Sequence, residues 1–280
     1  MAGWKIGFVF AKIRQIRTMG LIWYQARSSG RTVGGNVPLI KKIVNMKNQF
    51  KIKFEITSFE LEEIENWLKA ELLTSNNGFY HNWNLIKKAY SDNKIVILKN
   101  EINVIGFLIW CDFNIYAEID IFEIKPEFRQ RGVGKYFFNE VSTFFKSHNF
   151  SAIKLFCEPE ESEKFWIKMK FRKFPKIGYS ISELTYFKPL IEINEPAIEF
   201  DENNKLELWD LEPYQIKETK PKWTWNINTE TFLPILNPCN SDWNIRWTKN
   251  GKLIRENKVK RFSNKEIEFG NFLFVEELTE

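Results

Sequence analysis

A six-residue segment carries the residue types that bind phosphate groups. Arg129-Gln130-Arg131-Gly132-Val133-Gly134 follows an apolar stretch that ends near Ile124 and precedes an amphipathic stretch that begins near Lys135. The first N–H groups of a helix have no intrahelical partner and lie at the positive end of the helix dipole, so they attract anions. The glycines open the backbone to a large anion, and the arginines add charged donors. We therefore predict that residues Arg129 to Lys135 bind a pyrophosphate.

The segment after this loop is predicted to be a helix that holds the loop in place. Its apolar residues recur at a spacing near 3.6, which indicates one buried helical face. They are Val133, Phe137, Val141, Phe144 and Phe145. A short glycine loop by itself also fits a plain strand-to-helix turn, so its neighbours decide its meaning.

The segment before the loop is predicted to be a strand with a β-bulge. From Tyr116 to Ile124 the apolar alternation changes phase by one residue, after Ile121. Such a slip is what a bulge produces, and it would bring Glu118, Asp120 and Glu123 toward a common side. The alternative is a half-buried strand whose acidic side chains face solvent.

These residues resemble the GNAT superfamily of N-acetyltransferases, which bind acetyl-CoA by an Arg/Gln-x-x-Gly-x-Gly/Ala loop after the fourth strand. Arg129, Gly132 and Gly134 match that loop, and the stretch 124–129 is similar to the family's hydrophobic-x-Pro-x-x-Arg approach. The stretch 116–119 resembles the strand start in the histone-modifying branch, whose glutamate is a general base. The resemblance covers about half of the chain, from roughly residue 48 to 187.

The resemblance implies a fold, a co-substrate and roles for several residues. The expected fold class is α/β of the α+β type, with a mostly antiparallel, bulged central sheet. Acetyl-CoA is the expected co-substrate, Glu118 the expected general base, and the backbone N–H groups near Phe122 and Ile124 are expected to hold the pantetheine arm. Asp120 and Glu123 are expected to hold a cationic substrate. The activity implied is acetyl transfer to an amine; the alternative is a non-catalytic CoA-binding or interaction protein that retains the fold.

The sequence departs from the family pattern in the segment 165–171. Trp166 stands where many members have the tyrosine thought to protonate the departing thiolate, and an indole N–H cannot supply a proton near neutral pH. Lys170 replaces the usual glycine, which indicates a helix end without a left-handed glycine cap. The nearby candidates for a substitute acid are Cys157, Tyr179 and Tyr186, although a thiolate can also leave unaided.

Apolar periodicity predicts the remaining elements of this region. The expected order is a strand at 50–56, a helix through Leu61 and Leu72, a helix at 83–90, a hairpin of strands 95–98 and 104–110, the bulged strand, the loop and its helix, and a strand at 152–157. No Gly-x-Gly-x-x-Gly or Gly-x-x-x-x-Gly-Lys-Ser/Thr motif supports binding of a dinucleotide or a nucleoside triphosphate.

The chain divides into three predicted parts: a basic leader at 1–45, an acetyltransferase-like domain at 46–189 and a β-rich accessory domain at 190–280. Residues 1–54 hold eleven Lys and Arg and no Asp or Glu, so the rest of the chain carries a formal charge of −6 against +5 in total. The leader fits a transit peptide, a nucleic-acid or membrane-binding arm, or translated sequence before a start at Met46, which we prefer.

The accessory domain is predicted from alternating aromatic residues and turn motifs. Trp243, Ile245 and Trp247 precede an Asn250-Gly251 hairpin turn. A second alternating stretch lies at 223–227 and a final strand at 269–275. These aromatic side chains are expected to form the core of a small sheet; an exposed row would instead favour stacking on sugars or bases.

Composition narrows the partners and the compartment. The sequence has no run of about 18 apolar residues, so it predicts no membrane span. Three widely spaced cysteines suggest a reducing compartment, and we expect a cytoplasmic protein without a metal site. The mildly acidic body favours an amine-bearing small molecule, a protein lysine or a protein N-terminus as acceptor. A nucleic-acid partner is not favoured, though aminoacyl-tRNA stays open if the leader is native. The sequence does not indicate an oligomeric state.

Overall fold

The computed structural model describes residues 49–75, 78–177, 183–228, 230–263 and 267–279. The predicted leader at 1–45 and Tyr179 lie outside these residues, so the predictions for them stay predictions. In the described residues, no helix has the length and apolar character needed to cross a membrane.

A seven-stranded sheet forms the centre of the described N-terminal part, in the order β1-β2-β3-β4-β5-β7-β6. Among the described strand pairs of this sheet, only β4 and β5 pair in parallel, and the connection between them contains a helix. The predicted α/β class with a mostly antiparallel sheet is confirmed. The strands are β1 (Lys51–Lys53), β2 (Ile95–Lys99), β3 (Val104–Phe113), β4 (Tyr116–Ile124), β5 (Ala152–Phe156), β6 (Arg172–Lys173) and β7 (Thr185–Pro189).

Helices cover both faces of this sheet. The helices α1 (Ser58–Ser75) and α2 (Trp83–Ser91) bury Ile64, Leu68 and Ile86 against one face, which includes Ile121 of β4. On the other face, α3 (Val133–Ser147) and α4 (Glu163–Lys168) pack on Ala117 and Ile119 through an aromatic-rich cluster. Both faces of β4 therefore bury apolar side chains, although Glu118, Asp120 and Glu123 interrupt its apolar sequence.

The C-terminal part is β-rich, as its alternating aromatic residues predict. One sheet has the order β12-β11-β8-β9 and a smaller one has the order β10-β14-β13. Trp225, Trp243 and Trp247 are buried, so these rings form a core and not an exposed stacking row. The strands are β8 (Lys205–Leu208), β9 (Trp223–Asn226), β10 (Ile235–Pro238), β11 (Asn244–Lys249), β12 (Lys252–Lys258), β13 (Glu268–Phe269) and β14 (Phe272–Val275).

One apolar cluster joins the C-terminal part to the seven-stranded sheet. The ring of Phe272 lies 5.0 Å from that of Tyr116, 5.4 Å from Phe174 and 5.7 Å from Phe187, between centroids. The same cluster includes the core residues of β8, β11 and β14. The boundary at 189/190 stays a prediction, and many core contacts cross it.

Candidate active site

The loop predicted to bind a pyrophosphate leads into the N-terminus of α3. Gly132 is the residue before the first helical turn, with φ 87° and ψ 2°, and Gln130 also has a positive φ of 60°. No side chain caps the first N–H groups of α3, while buried Val133 anchors the turn. Arg131 and Lys135 are exposed beside it. The helix thus begins two residues earlier than predicted and presents unpaired donors to solvent.

Arg129 is held by the protein itself. Its Nε donates to the Ile124 carbonyl at 2.7 Å, its Nη2 forms a very short ion pair with Glu123, and Nη2 lies 3.6 Å from Glu71 Oε1. The guanidinium therefore ties the loop to the end of β4. Any role of Arg129 in cofactor binding remains a prediction.

The strands β4 and β5 separate halfway along β4. Their parallel pairing runs from Tyr116 with Ala152 to Ile119 with Leu155 and ends there. On the other edge of β4, pairing with β3 continues to Ile124, with a register shift that leaves Asp120 as the extra residue. The predicted bulge is therefore present, and beyond it the β5-facing edge of β4 has no strand partner among the described residues.

The open edge of β4 presents backbone donors toward this split. Lys125 N–H bonds to Ile105 of β3, so strand alternation directs the N–H groups of Phe122 and Ile124 to the opposite, open edge. Ile124 N–H donates to Glu123 Oε1 at 3.2 Å. The Phe122 ring belongs to the core, 5.4 Å from Trp166 and 5.6 Å from Phe137 between centroids. The predicted arm-binding N–H groups thus face the split, one of them engaged by a side chain.

Glu118 is paired with a lysine on the neighbouring strand. Lys154 lies directly opposite Glu118 in the parallel register, and its Nζ donates to both carboxylate oxygens at 3.1 and 3.0 Å. The same Nζ donates to Asn271 Oδ1 at 3.2 Å. Asn271 belongs to the turn between β13 and β14, so the C-terminal part contributes to this end of β4.

Asp120 lies exposed at the bulge, near Glu118. Its Oδ2 accepts a hydrogen bond from the Cys111 thiol of β3 at 3.2 Å. Partial burial raises the pKa of the Asp120 carboxyl, and Glu118 adds to this rise, whereas the thiol, Lys154 and Lys88 oppose it. Burial and the adjacent carboxylates raise the pKa of Cys111 to about 12, so the thiol keeps its proton.

Glu123 lies at the loop end of β4. Burial raises its pKa to about 6, an effect that Arg129 opposes and Glu71 reinforces. Its carboxylate bonds to Arg129 and to Ile124 N–H, and these contacts direct it toward the loop. Its predicted role in holding a cationic substrate stays a prediction.

Two of the predicted proton donors to a leaving group, Tyr186 and Cys157, lie in the core, and so does Trp166. Trp166 is buried, with its ring 5.4 Å from Phe138 and 5.2 Å from Phe171 between centroids. The Tyr186 hydroxyl donates a very short hydrogen bond to Glu163. Burial and this carboxylate raise the pKa of Tyr186. Burial raises the pKa of Cys157 to about 11. Neither group releases a proton readily near neutral pH.

A cavity of about 450 Å³ adjoins the loop on the β1–β3 side. Phe50, the turn 100–102, Phe128, Arg131 and Val133 contribute to its lining. It therefore lies beside the loop and not in the split between β4 and β5.

Sequence reasoning missed Lys154, which contacts Glu118, and Asn271, which contacts Lys154. Lys154 stands beside Glu118 because β4 and β5 pair in parallel, a register that the sequence analysis did not predict. Nothing in the local sequence indicates Asn271, since its approach depends on the packing of Phe272 against Tyr116.

The N-terminus of α3 and the loop before it can hold a phosphate-bearing ligand. Uncapped N–H groups, Arg131 and Lys135 suit the anion. A Cβ built at Gly134 would lie 3.7 Å from atoms of Ile124, Phe122 and Phe165, which is ordinary van der Waals contact. Alanine therefore fits at Gly134, in keeping with the Gly/Ala choice of the resembled loop, whereas Gly132 requires glycine for its positive φ.

Residues 59–171 match the profile of the Acetyltransferase (GNAT) family. The matched region contains β2 to β5, all four described helices, the bulge and the loop. Comparison of the sequence with curated proteins finds no significant match.

The solved structures similar to this chain include Ard1 and two proteins named as N-acetyltransferases. Ard1 from Thermoplasma volcanium is 20% identical, with 51% of this chain and 99% of that chain covered and a TM-score of 0.41. PaiA N-acetyltransferase from Thermoplasma acidophilum, in complex with coenzyme A, is 18% identical, covering 50% and 98%, with a TM-score of 0.38. The ribosomal-protein-S18-alanine N-acetyltransferase from Escherichia coli is 10% identical, covering 54% and 99%, with a TM-score of 0.40.

Proposed function

We propose, from the GNAT acetyltransferase domain at residues 59–171, that this protein transfers an acetyl group from acetyl-CoA to an amine. The observation that carries the proposal is the position of the loop relative to the split. The β4 edge that loses its β5 partner after Ile119 leads, through residues 125–132, to the uncapped N-terminus of α3. One ligand can therefore bind the helix N-terminus with its anionic end and the strand edge with its amide-bearing arm.

The proposed acetyl-CoA would contact the chain at two places, an anion site and a strand edge. The first N–H groups of α3, with Arg131 and Lys135, would hold the pyrophosphate. The open-edge N–H of Phe122 would bond to the arm or the thioester carbonyl. The Ile124 N–H would become available when the Glu123 carboxylate moves aside. When bound, acetyl-CoA supplies an acyl group activated as a thioester.

The acidic residues of β4 would prepare the acceptor. An ammonium has no lone pair, so a carboxylate must remove its proton before the nitrogen attacks. Glu118 and Asp120 both lie close to the point, halfway along β4, where the split begins. A nearby pair of carboxylates also attracts a cationic acceptor, which supports an amine-bearing small molecule, a protein lysine or a protein N-terminus.

The C-terminal part would shape the acceptor side of the site. Asn271 reaches Lys154, and the adjacent Phe272 anchors the turn on Tyr116. We propose that residues 190–280 act as an accessory module in acceptor choice. The three free thiols at Cys111, Cys157 and Cys239 support a reducing, cytoplasmic compartment.

One observation favours a second function, binding of CoA without turnover. Trp166 replaces the tyrosine of the family pattern, and the buried Tyr186 and Cys157 hold their protons. Since neither of these two described candidates supplies a proton readily, the thiolate of an active enzyme would leave without a proton from them. A thiolate is a good leaving group near neutral pH, so we favour the enzyme.

Acyl transfer is tested by measuring thiol release from acetyl-CoA with a panel of amines. The panel would contain polyamines, aminoglycosides, lysine-bearing peptides and peptides with free N-termini, and mass spectrometry would identify the product. We expect amine-dependent thiol release with an added mass of one acetyl group. Binding of acetyl-CoA without any amine-dependent release would support the CoA-binding function instead.

A further inference from the structure

The carboxylates of Glu118 and Asp120, at the beginning of the split, differ in their hydrogen-bond partners. We infer that Asp120, and not Glu118, is the catalytic residue that accepts the proton of the acceptor amine. This inference rests on the proposed function, because it assigns one step of that reaction. It comes from the contacts of the two side chains.

Glu118 is already engaged on both oxygens. Lys154 Nζ donates to Oε1 and Oε2 at 3.1 and 3.0 Å, and to Asn271 at 3.2 Å. An ammonium has three donors, so these bonds use them all. An acceptor amine would have to compete with a fixed ion pair, and a protonated Glu118 would leave Lys154 without its counter-charge. The Glu118–Lys154–Asn271 group therefore fixes the C-terminal turn to β4 and β5.

The contacts of Asp120 differ from those of Glu118. It is the extra residue of the bulge, directly after Ile119, the last residue of β4 that pairs with β5. Its side chain is exposed, and its Oδ2 accepts a hydrogen bond from the Cys111 thiol, which is a weak donor. A carboxylate with this exposure can receive an amine without breaking an ion pair.

Titratable groups from four elements face Asp120. They are Cys111 of β3, Glu118 of β4, Lys154 of β5 and Lys88 of α2. Partial desolvation by the surrounding protein, together with Glu118, raises the pKa of Asp120 above the ordinary aspartate value, against the effect of the thiol and the lysines. A raised pKa makes a carboxylate a better proton acceptor near neutral pH.

The step conserves protons and electron pairs. One N–H proton of the ammonium passes to a carboxylate oxygen of Asp120, which leaves the nitrogen lone pair free. That lone pair forms the new N–C bond to the thioester carbonyl carbon, and the C–S bond breaks with its electron pair on sulfur. The positively charged nitrogen of the adduct then passes a second proton to water, which leaves the neutral amide. The thiolate takes up a proton from solvent, and the proton on Asp120 passes to solvent.

The test compares Asp120→Asn, Glu118→Gln and a control, Asp112→Asn. Asp112 is an exposed carboxylate of β3, paired with Lys94 at 3.2 Å, and strand alternation places it on the face opposite to Cys111. For each variant, kcat and kcat/KM are measured against pH with an accepted amine, and acetyl-CoA affinity by calorimetry. We expect Asp120→Asn to lower kcat at least about 100-fold and to remove the acidic limb of the profile, with affinity changed less than about twofold.

A second readout does not need turnover. Cys111 is partly exposed, whereas Cys157 and Cys239 are buried, so iodoacetamide reports on Cys111. Because the Asp120 charge helps to raise the Cys111 pKa, Asp120→Asn should increase the alkylation rate at alkaline pH. Asp112→Asn should leave that rate and the acidic limb as in the native protein.

The outcomes separate the inference from the function on which it rests. The assignment of Asp120 is overturned if the native protein is active and its Asp120→Asn variant keeps the native kcat and the acidic limb of the pH profile. It is also overturned if that limb is lost in Glu118→Gln alone. A native protein that binds acetyl-CoA and acetylates no amine overturns the proposed function, and the assignment with it. If Asp120→Asn does not fold, Asp120→Glu keeps a carboxylate, and the assignment then requires a shifted acidic limb with partial kcat.

Discussion

Single residues of this chain depart from the family pattern in ways that the backbone explains. Lys170 stands at the usual glycine position and still adopts a left-handed conformation, with φ 68°. Phe171 N–H bonds to the Trp166 carbonyl and Lys170 N–H to the Ile167 carbonyl, each at 3.0 Å. These are the two bonds of a Schellman cap, so α4 ends as a glycine-capped helix would end, with a lysine under strain.

Replacing this lysine should therefore stabilise the fold. We expect Lys170→Gly to raise the free energy of unfolding by about 1 kcal/mol, because glycine adopts a positive φ without a Cβ clash. Denaturant unfolding measures the change. The matched control is Lys168→Gly, an exposed helical position, which should lower stability by a similar amount. A loss of stability in Lys170→Gly would show that the lysine side chain makes a contact worth more than the strain.

At the level of elements, the first turn of α1 joins two strands of the sheet. Glu60 Oε2 accepts the Thr57 N–H at 2.9 Å, and Oε1 receives Lys53 Nζ at 2.7 Å and Lys99 Nζ at 2.9 Å. Thr57-x-x-Glu60 is a capping-box sequence. Burial alone would raise the Glu60 pKa, yet the hydrogen bonds from Lys53, Thr57 and Lys99 outweigh it and lower the pKa to about 2.

This carboxylate should make stability depend on acid pH. Its folded pKa of about 2 lies below the ordinary value of 4.5, so its contribution is complete above pH 4.5 and disappears as pH falls toward 2. We expect Glu60→Gln to lower the free energy of unfolding by about 2 to 3 kcal/mol near neutral pH. The difference from the native protein should shrink over that acid range.

Chemical denaturation at several pH values gives the comparison, with Glu62→Gln as control because Glu62 is exposed on the same helix. A destabilisation by Glu60→Gln that stays constant across the acid range would contradict the ion-pair explanation.

The sequence predicts these elements well where apolar periodicity is regular. The bulged strand has the predicted bounds of 116–124, and the Asn250-Gly251 turn joins β11 to β12 with both residues at positive φ. Two strand predictions fail locally. The first strand is only Lys51–Lys53, since pairing with β2 ends there, and the predicted final strand is two short strands around Gly270 and Asn271.

The candidate site is less predictable than the elements that carry it. Loop, bulge and split follow from local patterns, because each depends on residues near one another in sequence. The partners of Glu118 and Arg129 do not, since Lys154 and Glu71 are brought to them by pairing and packing between distant segments, and Asn271 reaches Lys154 in the same way. The presence of an acidic residue in a sequence does not show whether a lysine side chain will form an ion pair with it.

At the scale of the whole molecule, the C-terminal part and the seven-stranded sheet share a core around Phe272. This ring is fully buried among Tyr116, Phe174 and Phe187. A Cβ at Gly270 would lie 2.9 Å from the Tyr116 hydroxyl, which shows how closely the β13–β14 turn approaches β4.

Removal of the Phe272 ring should weaken both parts together. We expect Phe272→Ala to lower the free energy of unfolding by about 3 to 4 kcal/mol, through lost burial and the cavity left behind. Calorimetry should show one transition at a lower temperature. Ile198→Ala is the control, because Ile198 is 98% exposed, and its effect should stay within about 0.5 kcal/mol. Two separate transitions, with only one affected, would show that the two parts unfold independently.

We propose that the N-terminus of α3 and the open edge of β4 bind an acyl-CoA. Calorimetric titration of acetyl-CoA into the native chain, Gly134→Ala and Gly134→Glu tests this binding. There is room for a Cβ at Gly134, with its nearest neighbours at 3.7 Å, so alanine should preserve binding, whereas a carboxylate at the helix N-terminus should repel the pyrophosphate and abolish it. Micromolar affinity in the first two proteins and none in the third is the expected result; equal affinity in all three, or none in the native chain, would contradict it.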